Sequence, residues 1–131
     1  MRHITILAFA ALLGGCADYS FTVNERVVYT PAPLFSDYSI EDKALAECVA
    51  QHIADAKVTD PRALESLNCS HAGVASLDGL QVFSKLLRLK LSQNRIEELQ
   101  PLADMAALQE LHLDDNAVQS ITPIRDLPEL E

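Results

Sequence analysis

Apolar residues in this chain return every 22 positions. Leu64, Leu86, Leu108 and Leu130 share one column; Leu67, Leu89 and Leu111 form a second, and Cys69, Leu91 and Leu113 a third. Val74, Ile96 and Val118 make a fourth, and Leu77, Leu99 and Ile121 a fifth. The columns run on through Leu80, Leu102 and Ile124, then Phe83, Met105 and Leu127. One such unit cannot bury its apolar side alone, so a chain with this period stacks its units as coils and each neighbour completes the one before. The expected fold is α/β: a short solenoid of about three coils with parallel strands, over residues 64–131, behind an N-terminal helical cap.

Within each coil the Leu-x-Leu step marks a strand with one buried face, so Leu89/Leu91 and Leu111/Leu113 point inward. Asn94 and Asn116 fall where the chain turns off the strand. An amide there can satisfy buried backbone groups, which makes their reading structural. The strand residues left to face outward are Ser66, Asn68 and Ser70, then Arg88, Lys90 and Ser92, then Glu110, His112 and Asp114. Stacking sets Arg88 beside Glu110 and Lys90 beside His112, so part of the charge is answered internally. Any function the repeats carry lies on this face: a docking surface for a protein partner, against the alternative of a merely solvated face.

A one-sided helix precedes the repeats. Ile40, Ala44, Leu45, Cys48, Val49, Ile53 and Ala56 recur at spacings of three to five, with Ser39 and Asp42 placed as a capping box. The helix would cover the first coil, whose core face water would otherwise reach. Asp60-Pro61 suits the start of a short second helix, so residues 39–63 read as the cap region. Between residues 16 and 38 no helical period is visible. Phe21-Thr22-Val23 and Val27-Val28-Tyr29 could form a short strand, but Asn24-Glu25-Arg26 interrupts them and Pro31-Ala32-Pro33 ends the run. The segment reads mainly as a tether, whose Tyr19, Phe21, Tyr29, Phe35 and Tyr38 either dock on the domain, the favoured reading, or meet a partner.

The first 15 residues have the order of an export leader. Met1-Arg2-His3 is basic, Ile4 to Leu13 is apolar, and Gly14-Gly15 are small. The apolar run is too short to span a bilayer core of roughly 30 Å as a helix. Leu13-Gly14-Gly15-Cys16 resembles the lipobox of bacterial lipoproteins. That resemblance implies that the leader is removed, that the Cys16 sulfur carries lipid, and that acyl chains hold the protein at a membrane at about 0.8 kcal/mol per buried CH₂. With Ala17, not Asp, after the cysteine, it further implies the outer membrane of a cell envelope, facing periplasm or surface. With Cys16 so used, Cys48 and Cys69 remain in an exported, oxidising setting. They read either as a disulfide between helix and first strand or as two buried thiols.

The sequence Leu86-x-x-Leu89-x-Leu91-x-x-Asn94-x-Ile96-x-x-Leu99-x-Pro101-Leu102 resembles the 22-residue leucine-rich repeat of the internalin-like bacterial class. Leu108 to Ile124 matches it again, with Asn116, Val118 and Pro123 in place. The repeat from Leu64 departs from it, with Ala72 for the asparagine and Gly79 for the proline. The helix and weak first repeat are similar to that class's cap region.

Ten basic against nineteen acidic residues leave a net charge of −9, so a phosphate backbone is repelled and nucleic acid is not an expected partner. His3, His52, His71 and His112 show no metal-ligand spacing. Ser70-His71 are neighbours whose side chains should point apart, and Asp114-Asp115-Asn116 lacks the glycine and distant Glu of a calcium loop. No catalytic residue, metal or cofactor is expected. Leu130 opens a fourth repeat. Ile124 and Leu127 fold over the third coil, or another molecule covers it, making a homodimer through that coil possible, or the chain is a shortened relative of a longer array.

Overall fold

The computed structural model describes residues 21–23 and 26–131. The leader at residues 1–15 and Cys16 lie outside the described residues. Two compact units divide the chain, residues 1–32 and 33–131.

In the first unit, strand β1 (Phe21–Val23) pairs antiparallel with β2 (Arg26–Tyr29), setting Phe21 opposite Tyr29 and Val23 opposite Arg26. The sequence of this segment reads mainly as a tether in which these two runs could form a short strand, and in the fold the two runs pair with each other. Both runs are rich in β-branched and aromatic residues, and each supplies the other with the partner that a lone strand would lack.

The second unit is an open leucine-rich-repeat solenoid with a helical cap. Strands β3 (Ser66–Asn68), β4 (Arg88–Lys90) and β5 (Glu110–His112) form one parallel sheet in that order. Their register follows the repeat: Ser66, Arg88 and Glu110 lie in one row, Leu67, Leu89 and Leu111 in the next, Asn68, Lys90 and His112 in the third. Short 3₁₀ turns at Leu80–Val82, Gln100–Leu102 and Thr122–Ile124 form the opposite side of each coil. The apolar columns fill the space between, and Leu67, Leu89, Leu80, Leu102, Val74 and Ile96 are fully buried.

Asn94 joins the coils from inside. Its Nδ2 donates to the carbonyls of Cys69 (2.9 Å) and Leu91 (2.8 Å), while Oδ1 accepts from the amides of Ala72 (3.1 Å) and Val74 (3.0 Å). Asn116 repeats the pattern one coil on, from Leu91 O (2.8 Å) and Leu113 O (3.0 Å) to Ile96 N (3.1 Å). Each asparagine thus pairs buried backbone groups that no regular ladder reaches.

The cap helix α1 spans Lys43–Ala56 and buries Leu45, Val49 and Ile53 against the first coil. Its N-cap is Asp42, not Ser39, and Ile40 precedes the helix. The reason is geometric. Asp42 Oδ1 accepts from Leu45 N (3.0 Å), and Oδ2 accepts from Ala75 N (2.8 Å) and Ser76 N (3.0 Å). One carboxylate therefore caps the helix and fastens it to the first coil, a task a serine hydroxyl cannot divide. Ala56 is exposed because the chain reverses at Lys57 (φ 52°) and inserts Val58 into the core instead.

Burial raises the Asp42 carboxyl, but its hydrogen bonds to the amides of Leu45, Ala75, Ser76 and Ala44 outweigh that and hold it below the ordinary 3.8. A depressed folded value contributes stability above the unfolded value, which is lost as pH falls through the folded one. Asp42→Asn keeps a competent N-cap but turns an NH₂ toward amides that need an acceptor. We expect it to cost about 1–2 kcal/mol at neutral pH and to flatten the decline in stability below about pH 4, read by urea unfolding across pH. An unchanged acid profile would contradict the role given to Asp42.

Two further ties hold α1 to β3 and to the residue that follows it. Cys48 and Cys69 form a disulfide, with Cα atoms 5.9 Å apart. His52 Nε2 accepts from Asn68 N (3.3 Å) while Nδ1 lies 2.9 Å from the Cys48 carbonyl, which assigns the proton to Nδ1. Closing a loop with a sequence separation of 21 is worth about 3 kcal/mol in the chain-entropy model. Reduction should lower the urea midpoint accordingly, and an equal midpoint with and without dithiothreitol would remove the disulfide from the stability of the cap.

The expected second helix is one 3₁₀ turn, Pro61–Ala63, capped by Asp60. Arg62 pairs with Asp60 at 2.8 Å and holds its carboxyl down at about 2. Of the aromatic residues preceding α1, Phe35 and Tyr38 dock on the domain, with ring centroids 6.0 and 5.8 Å from that of Phe83.

Candidate functional site

The strand face is built by the parallel register itself. Alternation sends Leu67, Leu89 and Leu111 inward, so their neighbours in β3, β4 and β5 must face out as two rows. Ser66, Asn68, Arg88 and Lys90 are exposed, Glu110 and His112 half-exposed, and Asp114 exposed. Six of these lie in register on one surface, and Asp114, which accepts from Ser92 Oγ, borders it. Its charges answer one another, though not in the rows expected. Arg88 lies opposite Glu110 in register, yet the ion pair of Glu110 is diagonal, to Lys90 at 4.0 Å. His112 Nε2 sits 2.6 Å from Glu110 Oε1.

The Glu110 carboxyl is held below its ordinary value, chiefly by the hydrogen bond from His112; desolvation opposes this, and the charges of Lys90, His112 and Arg88 each add a smaller pull downward. Ser92 Oγ donates to Asp114 Oδ2 at 3.1 Å. Glu110 is thus a hub, and Arg88 is left without an ion-pair partner among the described residues. In double-mutant cycles pairs as exposed as these are worth little, so they set which partner charges are accepted more than they stabilise the fold.

The face offers little for catalysis. The His112–Glu110 pair could orient a base, but the hydroxyl of Ser92 on the neighbouring coil is committed to Asp114. Among the described residues no group of His, Cys, Asp or Glu gathers to hold a metal ion, and no helix is long and apolar enough to cross a membrane. His52 was not singled out from the sequence; only the turn that brings α1 back over β3 reveals its place.

The other notable surface is the outer side of the third coil, where burial changes column by column. Leu89, Leu91, Ile96 and Leu102 are fully buried, whereas their equivalents Leu111, Leu113, Val118 and Ile124 are half-buried. Leu99 is 1% exposed and Ile121, one repeat on, 64%. Ile124 and Leu127 pack on the core but do not close the coil.

Among solved structures this architecture is similar to an internalin, InlF, from Listeria monocytogenes, with 27% identity and a TM-score of 0.63 over 69% of this chain and 28% of that one. It is also similar to internalin C2 of the same organism, with 23% identity and a TM-score of 0.63 over 76% of this chain and 49% of that one. The chain thus spans less than half the length of either. No protein-family model matches the chain, and no curated protein matches it.

Proposed function

We propose that this chain is a lipid-anchored, protein-binding leucine-rich-repeat module of the bacterial cell envelope, without catalytic activity. The carrying observation is the strand face, a rigid parallel surface on which Lys90, Glu110 and His112 are already mutually oriented while Arg88 stays open to a partner's carboxylate. Likeness to the internalins supports a repeat array put to use as a binding surface, and the Leu13-Gly14-Gly15-Cys16 sequence supports lipid on Cys16. The outer membrane, facing periplasm or surface, is the compartment we assign on the strength of Ala17.

Two variants test the halves separately. Arg88→Glu with Lys90→Glu should abolish in-cell crosslinks from the strand face without changing the unfolding midpoint. Crosslinks that survive would sink the docking role. Cys16→Ser should release the protein from the membrane fraction, and a variant that stays membrane-bound would remove the lipid anchor.

A second reading, self-association of a structural component through the third coil, is favoured by the half-exposed apolar columns there. Under that reading the Arg88 and Lys90 substitutions would change nothing, and light scattering would show a concentration-dependent dimer.

A further inference from the structure

We infer that the Cys48–Cys69 disulfide is a thiol-exchange site, entered at Cys48 alone by a dithiol reductant, and that the reduced protein keeps its cap seated on the first coil. The two sulfurs differ in access. Cys69 is 1% exposed and belongs to the core cluster, whereas Cys48 is half-buried and its Sγ meets the Asn68 carbonyl at the surface. Exchange requires a thiolate to reach the sulfur that it attacks, so in the folded domain only Cys48 Sγ is open to it.

The backbone beside the bond suits both redox states. Cys69 N donates to Lys90 O at 2.8 Å, on the β4 side. By alternation Asn68 turns its N–H and C=O the other way, toward α1. His52 Nε2 takes the N–H at 3.3 Å. The C=O faces Cys48 Sγ at 3.3 Å, and a disulfide sulfur has no proton to give it. Once Cys48 is a thiol, its S–H supplies the donor that the oxidised form lacks. Reduction therefore exchanges a covalent tie for a hydrogen bond between the same two segments. It leaves Asp42 on the amides of Ala75 and Ser76, His52 on that of Asn68, and Leu45, Val49 and Ile53 in the core. The lower stability expected of the reduced chain then comes from its freer unfolded state, not from a cap that has come away.

The exchange balances in two steps. A thiolate of the reductant bonds to Cys48 Sγ, the bond to Cys69 breaks, and its electron pair leaves on Cys69 Sγ, which takes up a proton that the reductant gave to solvent. The second thiolate of the reductant attacks its own first sulfur in the mixed disulfide, and Cys48 Sγ departs with the electron pair and takes up the second proton. The protein disulfide is reduced to two thiols and the dithiol is oxidised to a disulfide.

The test uses the full-length chain carrying Cys16→Ser, in which Cys48 and Cys69 are the only cysteines. Incubated in the folded state with reduced glutathione, quenched with acid and mapped by peptide mass spectrometry, it should carry glutathione on Cys48 at least about tenfold more often than on Cys69, a preference that concentrated urea should erase. Equal labelling of the folded chain, or labelling that favours Cys69, would overturn the single point of entry. After reduction with dithiothreitol, a pulse of iodoacetamide should alkylate Cys48 at least about tenfold faster than Cys69. A Cys69 that reacts as fast as it does in urea would show that the cap leaves on reduction, and the proposal would fall. Cys48→Ser, which keeps a hydroxyl for the Asn68 carbonyl, should leave Cys69 equally protected, and free reaction of Cys69 there would count against the proposal in the same way. None of these outcomes depends on a partner at Arg88 or Lys90, so they leave the strand-face reading untouched.

Discussion

Asn94→Ala is expected to remove about 4 kcal/mol of folding stability, a large part of what a domain of this size possesses. The group removed is a polar carboxamide, so hydrophobic loss is not the main cause. What it strands is backbone: the carbonyls of Cys69 and Leu91 lose their donor, and the amides of Ala72 and Val74 their acceptor, in an interior too dry to replace them. Asn116→Ala should cost only about 1–2 kcal/mol, because its surroundings are half-open and water can take over part of its bonding. Urea unfolding of both variants checks the ratio. Equal losses would mean that the third coil is as closed as the second, contrary to its exposure.

Phe83→Ala carries the other large effect, about 3–5 kcal/mol. Phe83 is fully buried and receives Phe35 edge-on, with planes at 84°, and Tyr38 tilted at 58°. Truncation therefore removes core volume and also the seat of the segment leading into α1. The expected sign of that second loss is a rise in Tyr38 exposure at urea concentrations well below the main transition, read by tyrosine fluorescence. A single coincident transition would place Phe35 and Tyr38 in the same cooperative unit as the coils.

The two variants also mark how far the sequence could be read. Asn94 was legible as a backbone-satisfying residue because its neighbours in the repeat fix both the turn and the inward direction. Parallel stacking of β3, β4 and β5 followed from the same period, including the rows that pair Arg88 with Glu110 and Lys90 with His112. The cap was harder, because its contacts join segments with no common period. Gly79 reads from sequence as a departure from the repeat's proline. In the fold it has φ 94°, and a Cβ there would collide with the carbonyl oxygen of Ser39, so the departure makes room for the chain entering the cap.

Asp42 was misplaced for a related reason. A capping box is a local pattern, and the amides of Ala75 and Ser76 that decide its role lie more than thirty residues away. One repeat position stayed hidden altogether. His71, Gln93 and Asp115 stand 22 residues apart and share a left-handed backbone, with φ of 58°, 57° and 55°. Three such different side chains, none of them glycine, leave no trace of that conformation in the sequence. The strand face was legible as a set of residues but not as a network. Register alone could not show that Glu110 turns diagonally to Lys90 and sideways to His112.

The cap also gives the stack a direction. The first coil is held to α1 by a covalent bond, a shared carboxylate and an imidazole, while β5 has a neighbour on one side only. In a one-dimensional array, where each coil contacts only its neighbours, opening then begins at the third coil and moves toward the helix. Amide hydrogen exchange should follow that order, fastest at Leu111 and Leu113, slower at Leu89 and Leu91, and slowest at Leu67 and Cys69. Among the described residues the coils are pinned at the cap, so the third coil is the part that can rearrange while the first two hold still.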